Sequence, residues 1–172
     1  MSKQAAVMGE VVASDVHQFS TGVKVRFSQV PQMVVLRIQE AHPIPEIYKQ
    51  SVPGRNGQNQ VVDNPNHPDY LERKQQAENI RTLKILETMI LIGVDLVDGL
   101  PKSDAWLNKL ETVMDFGKYY TIDDSGVRTM SDDAKKLVYI MNVAAVTGDD
   151  FALISRNTGL TEDRVAEDVA TF

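Results

Sequence analysis

The chain has 172 residues, 42% of them apolar and 24% charged, with a net charge of −6 and no cysteine. That length suits one domain, 1–172, with a core of its own, held without disulfides or a structural metal. The absence of cysteine excludes thiolate catalysis, a Cys-ligated metal centre and a disulfide scaffold, and it fits a reducing compartment.

At the start of the chain, Glu10 interrupts a short apolar stretch, and the long apolar region of a signal peptide is missing. The most apolar run, Met89–Val94, is far short of the roughly 20 residues that a spanning helix requires. A soluble cytoplasmic protein with no membrane contact is therefore expected. Charge is unevenly placed. Residues 1–94 carry ten Lys/Arg against nine Asp/Glu, and residues 95–172 carry eight against fifteen. Affinity for nucleic acid comes mostly from Lys and Arg neutralising phosphates, so the acidic half argues against such a partner. A solvated surface or a basic protein partner suits it better.

In chain order, Val23-Lys24-Val25-Arg26-Phe27 alternates strictly and predicts a strand with Val23, Val25 and Phe27 on one face. Val11-Val12 offers a short pairing partner. Pro31 suits a first helical position, and Met33, Val34, Arg37, Ile38 and Ala41 read as a short amphipathic helix that stops before Pro43. Residues 43–67 form a Pro-rich loop expected to be flexible, since Gly54 to Gln60 has nothing to bury. An arm that orders on a partner is the other reading of this segment.

A long helical pattern begins at Pro68. Its first half, Asp69 to Lys84, is balanced in charge, with Asp69/Arg73 and Glu78/Arg81 at supporting spacings. Its second half carries two apolar stripes. Ile80, Leu83, Leu86, Ile90, Val94 and Val97 make one, and Ile85, Met89, Ile92 and Leu96 make another on nearly the opposite side. A helix apolar all round is covered all round, either at the centre of a bundle or by another chain. The second stripe, Ile85, Met89, Ile92 and Leu96, is accordingly the candidate surface for self-association or for a client protein.

Asp98-Gly99-Leu100-Pro101 is a turn. Ser103 or Asp104 can cap the next helix, which holds Trp106, Leu107, Leu110, Val113 and Met114 in one arc. Tyr119 to Ile122 is a short strand or an extended link. Ser131 or Asp132 caps a helix that turns Leu137, Ile140, Met141 and Ala144 inward. Residues 149–172 read as a C-terminal helical hairpin. The expected fold is mainly α, a helical bundle with a small N-terminal β element, whose core includes Trp106, Leu110, Leu137, Met141, Leu86 and Ile90.

No catalytic set emerges. Asp63, His67 and Asp69 share one tract, but its prolines splay it and no second His stands at helical spacing, so no metal site is expected. The pairs Asp123/Asp124, Asp132/Asp133 and Asp149/Asp150 fail the calcium-loop pattern, because the sixth position counted from Asp123 is Arg128 rather than Gly. Two of these pairs sit at predicted helix starts, where capping and the helix dipole favour Asp. Phosphate loops and nucleophile elbows are absent from the sequence, and no cofactor is expected. Ile154 to Thr161, followed by Val165 and Val169, has the outline of a helix-turn-helix. Its second helix would present four acids against one base to a groove, which disfavours DNA reading.

Four blocks, taken in order, resemble one family. They are Val30-Pro31-Gln32-Met33 through Pro43-Ile44-Pro45, then Asp63 to Leu71, then Leu91 to Pro101 with Trp106-Leu107 behind it, and then Gly159 to Phe172. Their order is similar to the tail assembly chaperone family of long-tailed siphophages, over most of residues 23–172. The resemblance implies a non-enzymatic helper that binds the tape measure protein and keeps it soluble until tail tube subunits polymerise around it. It also implies the tail tube protein as a candidate partner. The expected place is the host cytoplasm, not the mature virion. A structural virion protein of tail or neck is the competing expectation, and a DNA-binding regulator acting through the C-terminal helix pair is the third.

Overall fold

A computed structural model describes residues 15–159. The alternation at Val23–Phe27 forms the central strand of a three-stranded antiparallel sheet in the order β1 (Val16–Gln18), β2 (Lys24–Phe27), β5 (Val94–Leu96). Val25 faces Leu96 and His17 across the sheet, and Phe27 faces Val94. Val25 and Phe27 are buried while Lys24 and Arg26 face water, which is what period-2 patterning produces. The candidate partner strand Val11-Val12 lies outside the described residues.

Helix α1 (Gln32–Ala41) follows Pro31 and ends before Pro43. Next comes a hairpin of β3 (Tyr48–Pro53) and β4 (Asn59–Asn64), which leads into the long helix α2 (Pro68–Gly93). Beyond β5 lie α3 (Ala105–Glu111), a second hairpin of β6 (Tyr120–Ile122) and β7 (Arg128–Met130), α4 (Asp132–Tyr139) and α5 (Gly148–Thr158). A five-residue π-turn, Ile140–Ala144, extends α4.

The architecture is not the expected mainly α bundle. Among the described residues it is an α+β mixture, 48% helical and 19% strand, with five helices and three small sheets. Two segments account for the difference. The stretch expected as a Pro-rich loop pairs as β3–β4, because its prolines frame the hairpin instead of interrupting it. Pro43 and Pro45 precede it, Pro53 ends the first strand, and Pro65 and Pro68 follow. Gly57 adopts φ +73° in the connecting turn, a conformation open to glycine.

The second difference lies at the end of α2. The helix stops at Gly93, and Val94, Leu96 and Val97 leave it for the sheet or the turn beyond. Gly93 is a point of close approach. A Cβ there would lie 2.5 Å from Thr158 Cγ2 and 3.1 Å from the Ser28 carbonyl. Only a residue without a side chain lets α5 and the link after β2 meet the helix end.

The main core gathers Val25, Phe27, Val35, Met89, Ile90, Val94, Ile140 and Ile154. A smaller cluster of Leu107, Phe116, Met130 and Val138 joins α3, the second hairpin and α4. Of the residues expected inside, Ile90 and Leu137 are buried. Leu86 and Met141 are half-buried against the main cluster, and Trp106 and Leu110 against the smaller one. The first helix of the expected C-terminal pair is α5, and its second half lies outside the described residues. Among the described residues no helix is long and apolar enough to cross a membrane.

Candidate interaction surface

The inner end of α2 is closed in by its own chain. Ser28 N donates to the Gly93 carbonyl at 2.9 Å, and Val30 N donates to the Thr158 carbonyl at 3.0 Å. Farther back along α2, Arg81 Nη2 donates to the Gln39 carbonyl at 2.9 Å, and Arg81 Nε to that of His42. With its start beside Gly93 and its end beside Arg81, α1 therefore runs antiparallel to α2.

This placement sorts the four residues expected to meet a partner. Met89 is buried in the main core, and Ile85 and Leu96 are half-buried against it. Leu96 is no longer on the helix but in β5. Ile92 is the one that stays open, 48% exposed. The structure thus brings Ile85, Met89 and Leu96 together inside the fold and leaves Ile92 at its surface.

Another strip on α2 is less covered. At 100° per residue, Ile80, Leu83, Glu87 and Leu91 fall within about 80° of arc. Ile80, Leu83 and Leu91 are 46%, 37% and 37% exposed. Glu87, between them, is buried and accepts hydrogen bonds from Lys84 Nζ at 2.8 Å, Tyr119 OH at 3.1 Å and Lys118 Nζ at 3.4 Å. Burial alone would raise its pKa, but the Lys84 bond and charge, with the Tyr119 bond and the Lys118 charge, hold it below the usual carboxylate range. The one acid in the strip is thus paired locally by two lysines whose side chains are half exposed, so the apolar residues of the strip are flanked by positive charge. Ile80 and Leu83 belong to the stripe that the sequence pattern assigned to the core.

The other candidate residues have structural partners. Asp150, buried, receives Ser20 N at 2.7 Å, Ser20 Oγ at 2.6 Å, Val146 N and Thr147 N at 3.1 Å each, and Thr147 Oγ at 2.9 Å. It closes the capping box of α5 and ties that helix to the turn after β1. Burial opposes its ionisation, yet the Ser20 and Thr147 bonds outweigh burial and press its pKa far below the usual carboxylate range. Asp123 Oδ1 accepts from Ser125 N, Ser125 Oγ and Val127 N, which organises the β6–β7 turn.

The tract Asp63 to Asp69 leads from β4 into α2. His67 stacks on Tyr48 with ring centroids 3.6 Å apart, and its Nδ1 lies 4.0 Å from Asp69 Oδ2. Among the described residues no group of three or more His, Asp or Glu side chains is placed to hold a metal. Sequence reasoning recognised helix-start aspartates but not the tie from Asp150 to Ser20, since 130 residues separate the partners and no local pattern encodes it. Comparison with known proteins found no matching family model, no matching curated protein and no matching solved structure.

Proposed function

We propose that the chain is a non-enzymatic tail assembly chaperone of long-tailed bacteriophages, acting in the host cytoplasm by binding the tape measure protein and keeping it soluble. The observation that carries this reading is the apolar strip of Ile80, Leu83 and Leu91 on α2, which no other part of the described chain covers fully. A helix in need of shelter can lay its own apolar stripe along such a strip, with anchors spaced by one or two turns. The order of sequence blocks shared with that family supports the same reading. Two of those blocks also meet at one junction, where Val30 and Gly93 approach each other beside Thr158. In this role the protein leaves before the particle is complete.

Co-expression with the tape measure protein tests the proposal. The wild-type chain keeps that partner in the soluble fraction, and a folded Ile80→Asp, Leu83→Asp variant releases it to the pellet. Equal solubility with both proteins would overturn the assignment of the strip.

A second reading, a structural component of tail or neck, is favoured by the strand content, 19% of the described residues, and by two hairpins outside the main sheet. Mass spectrometry of purified virions separates the two. A structural component is found there in stoichiometric amount, and a chaperone is not.

A further inference from the structure

The segment from Leu96 to Lys102, which links β5 to α3, separates two open clefts of about 470 Å³ and about 220 Å³. Leu96, Gly99 and Leu100 line both, so the turn stands between them as a ridge with apolar flanks. Gly99 makes the turn possible with φ +70°.

The two sides differ in charge. The larger cleft presents Lys24 and Lys102 with a single acid, Asp98. The smaller presents Asp95, Asp132 and Asp133 with a single base, Lys136. Lys136 is already engaged, 3.6 Å from Asp95 and bonded to the Leu91 carbonyl at 3.1 Å. Among the described residues Lys24, Lys102, Asp132 and Asp133 enter no ion pair, and all four side chains are exposed. A positive hollow, a ridge formed by Gly99 and the half-buried Leu100, and a negative hollow therefore lie side by side, with the charges best placed to meet across the ridge left unsatisfied.

We propose that this face joins two copies of the chain about a two-fold axis running along the ridge. Rotation about that axis sets Leu100 of each copy against Leu100 of the other. It also carries the positive side of each copy over the negative side of the other, so Lys24 and Lys102 meet Asp132 and Asp133 twice. Such an isologous contact needs a self-complementary patch, and this patch is one in charge. The ridge exposes little apolar surface, so the dimer is weak and held largely by exposed ion pairs, which salt screens. The dimer is independent of any client and is measured on the chain alone, so its failure leaves the chaperone reading standing.

The test is sedimentation equilibrium at low and high ionic strength. The wild-type chain associates to a dimer at low salt and reverts to monomer at high salt. A Lys24→Glu, Lys102→Glu variant and an Asp132→Lys, Asp133→Lys variant are each monomeric at low salt with an unchanged circular dichroism spectrum. Mixed in equal amounts they recover the dimer, because both cross-ridge contacts then pair opposite charges. If lysines in the first turn of α4 prevent folding, Asp132→Asn with Asp133→Asn keeps the helix start intact and still shifts the equilibrium towards monomer. A wild-type monomer at low salt, dimers undiminished in the variants, or a mixture that stays monomeric would each overturn the proposal.

Discussion

The two ends of α2 are built from the same kinds of residue but are treated differently by the fold. Its inner end, around Met89, Ile90 and Gly93, is covered by β2, β5, α1 and α5. Its outer stretch, from Leu71 to Leu83, carries Leu71, Ile80 and Leu83 into solvent. Near the inner end Met89 and Ile90 are held by a closed network, while Leu91 and Ile92 beside them reach the surface. Along the outer stretch they are merely attached to a helix. The contrast teaches that similar apolar residues along this helix meet two fates, burial near the sheet and partial exposure farther out.

The largest effect should come from the lock on the inner end. Asp150→Ala removes the acceptor for the backbone N–H groups of Ser20, Val146 and Thr147, and each buried donor left unpaired costs about 1–3 kcal/mol. A loss of roughly 4 kcal/mol in urea unfolding is expected. The sign of the pH dependence follows from the lowered pKa of the carboxyl. Its contribution is complete above the unfolded-state value of about 3.9 and is lost as pH falls through the folded value. The stability gap between wild type and Asp150→Asn should stay constant from about pH 5 to pH 8 and narrow below about pH 4.

Met89→Ala comes next, at about 3 kcal/mol, because it opens a cavity in the main core. Gly93→Ala follows at about 2 kcal/mol. Its new methyl must displace Thr158 and the backbone of Ser28, a case of overpacking at a crowded junction. Thermal or chemical denaturation ranks all three. On the outer stretch Leu83→Asp should cost about 1–1.5 kcal/mol, from lower helix propensity, lost partial burial and the Glu87 carboxylate one turn on, and so less than Met89→Ala. A loss there as large as that of Met89→Ala would erase the distinction between the two ends.

Much of the inner framework is legible in the sequence. The alternation from Val23 to Phe27, the bracket of Pro31 and Pro43 around α1, and the Ser131 cap that accepts from Ala134 N all appear where local chemistry places them. The end of α2 is not legible. Val94, Leu96 and Val97 fit a helical stripe, and over three or four residues period 3.6 and period 2 are hard to tell apart. Only the contact of Gly93 with Thr158, 65 positions away, shows why the helix must stop. The β3–β4 hairpin is hidden for another reason. It is polar and rich in Asn and Gln, and its pairing of Tyr48 with Asn64 through Pro53 with Asn59 depends on backbone hydrogen bonds rather than apolar alternation.

The proposed partner surface follows the same rule. Periodicity identified α2 as too apolar for one face, but which stripe is covered depends on where the sheet, α1 and α5 stop. Met89 in the core and Leu83 on the outer strip cannot be ranked by hydrophobicity alone, since only the fold separates buried from half-exposed positions.

Site-specific photo-crosslinking during co-expression with the tape measure protein tests the central claim most directly. A photoreactive residue is placed at Leu83 in one variant and at Val113, an exposed apolar position beyond α3, in another. The account predicts a crosslinked product with the tape measure protein from position 83 and none from position 113. Crosslinking from position 113 with none from position 83 would contradict it.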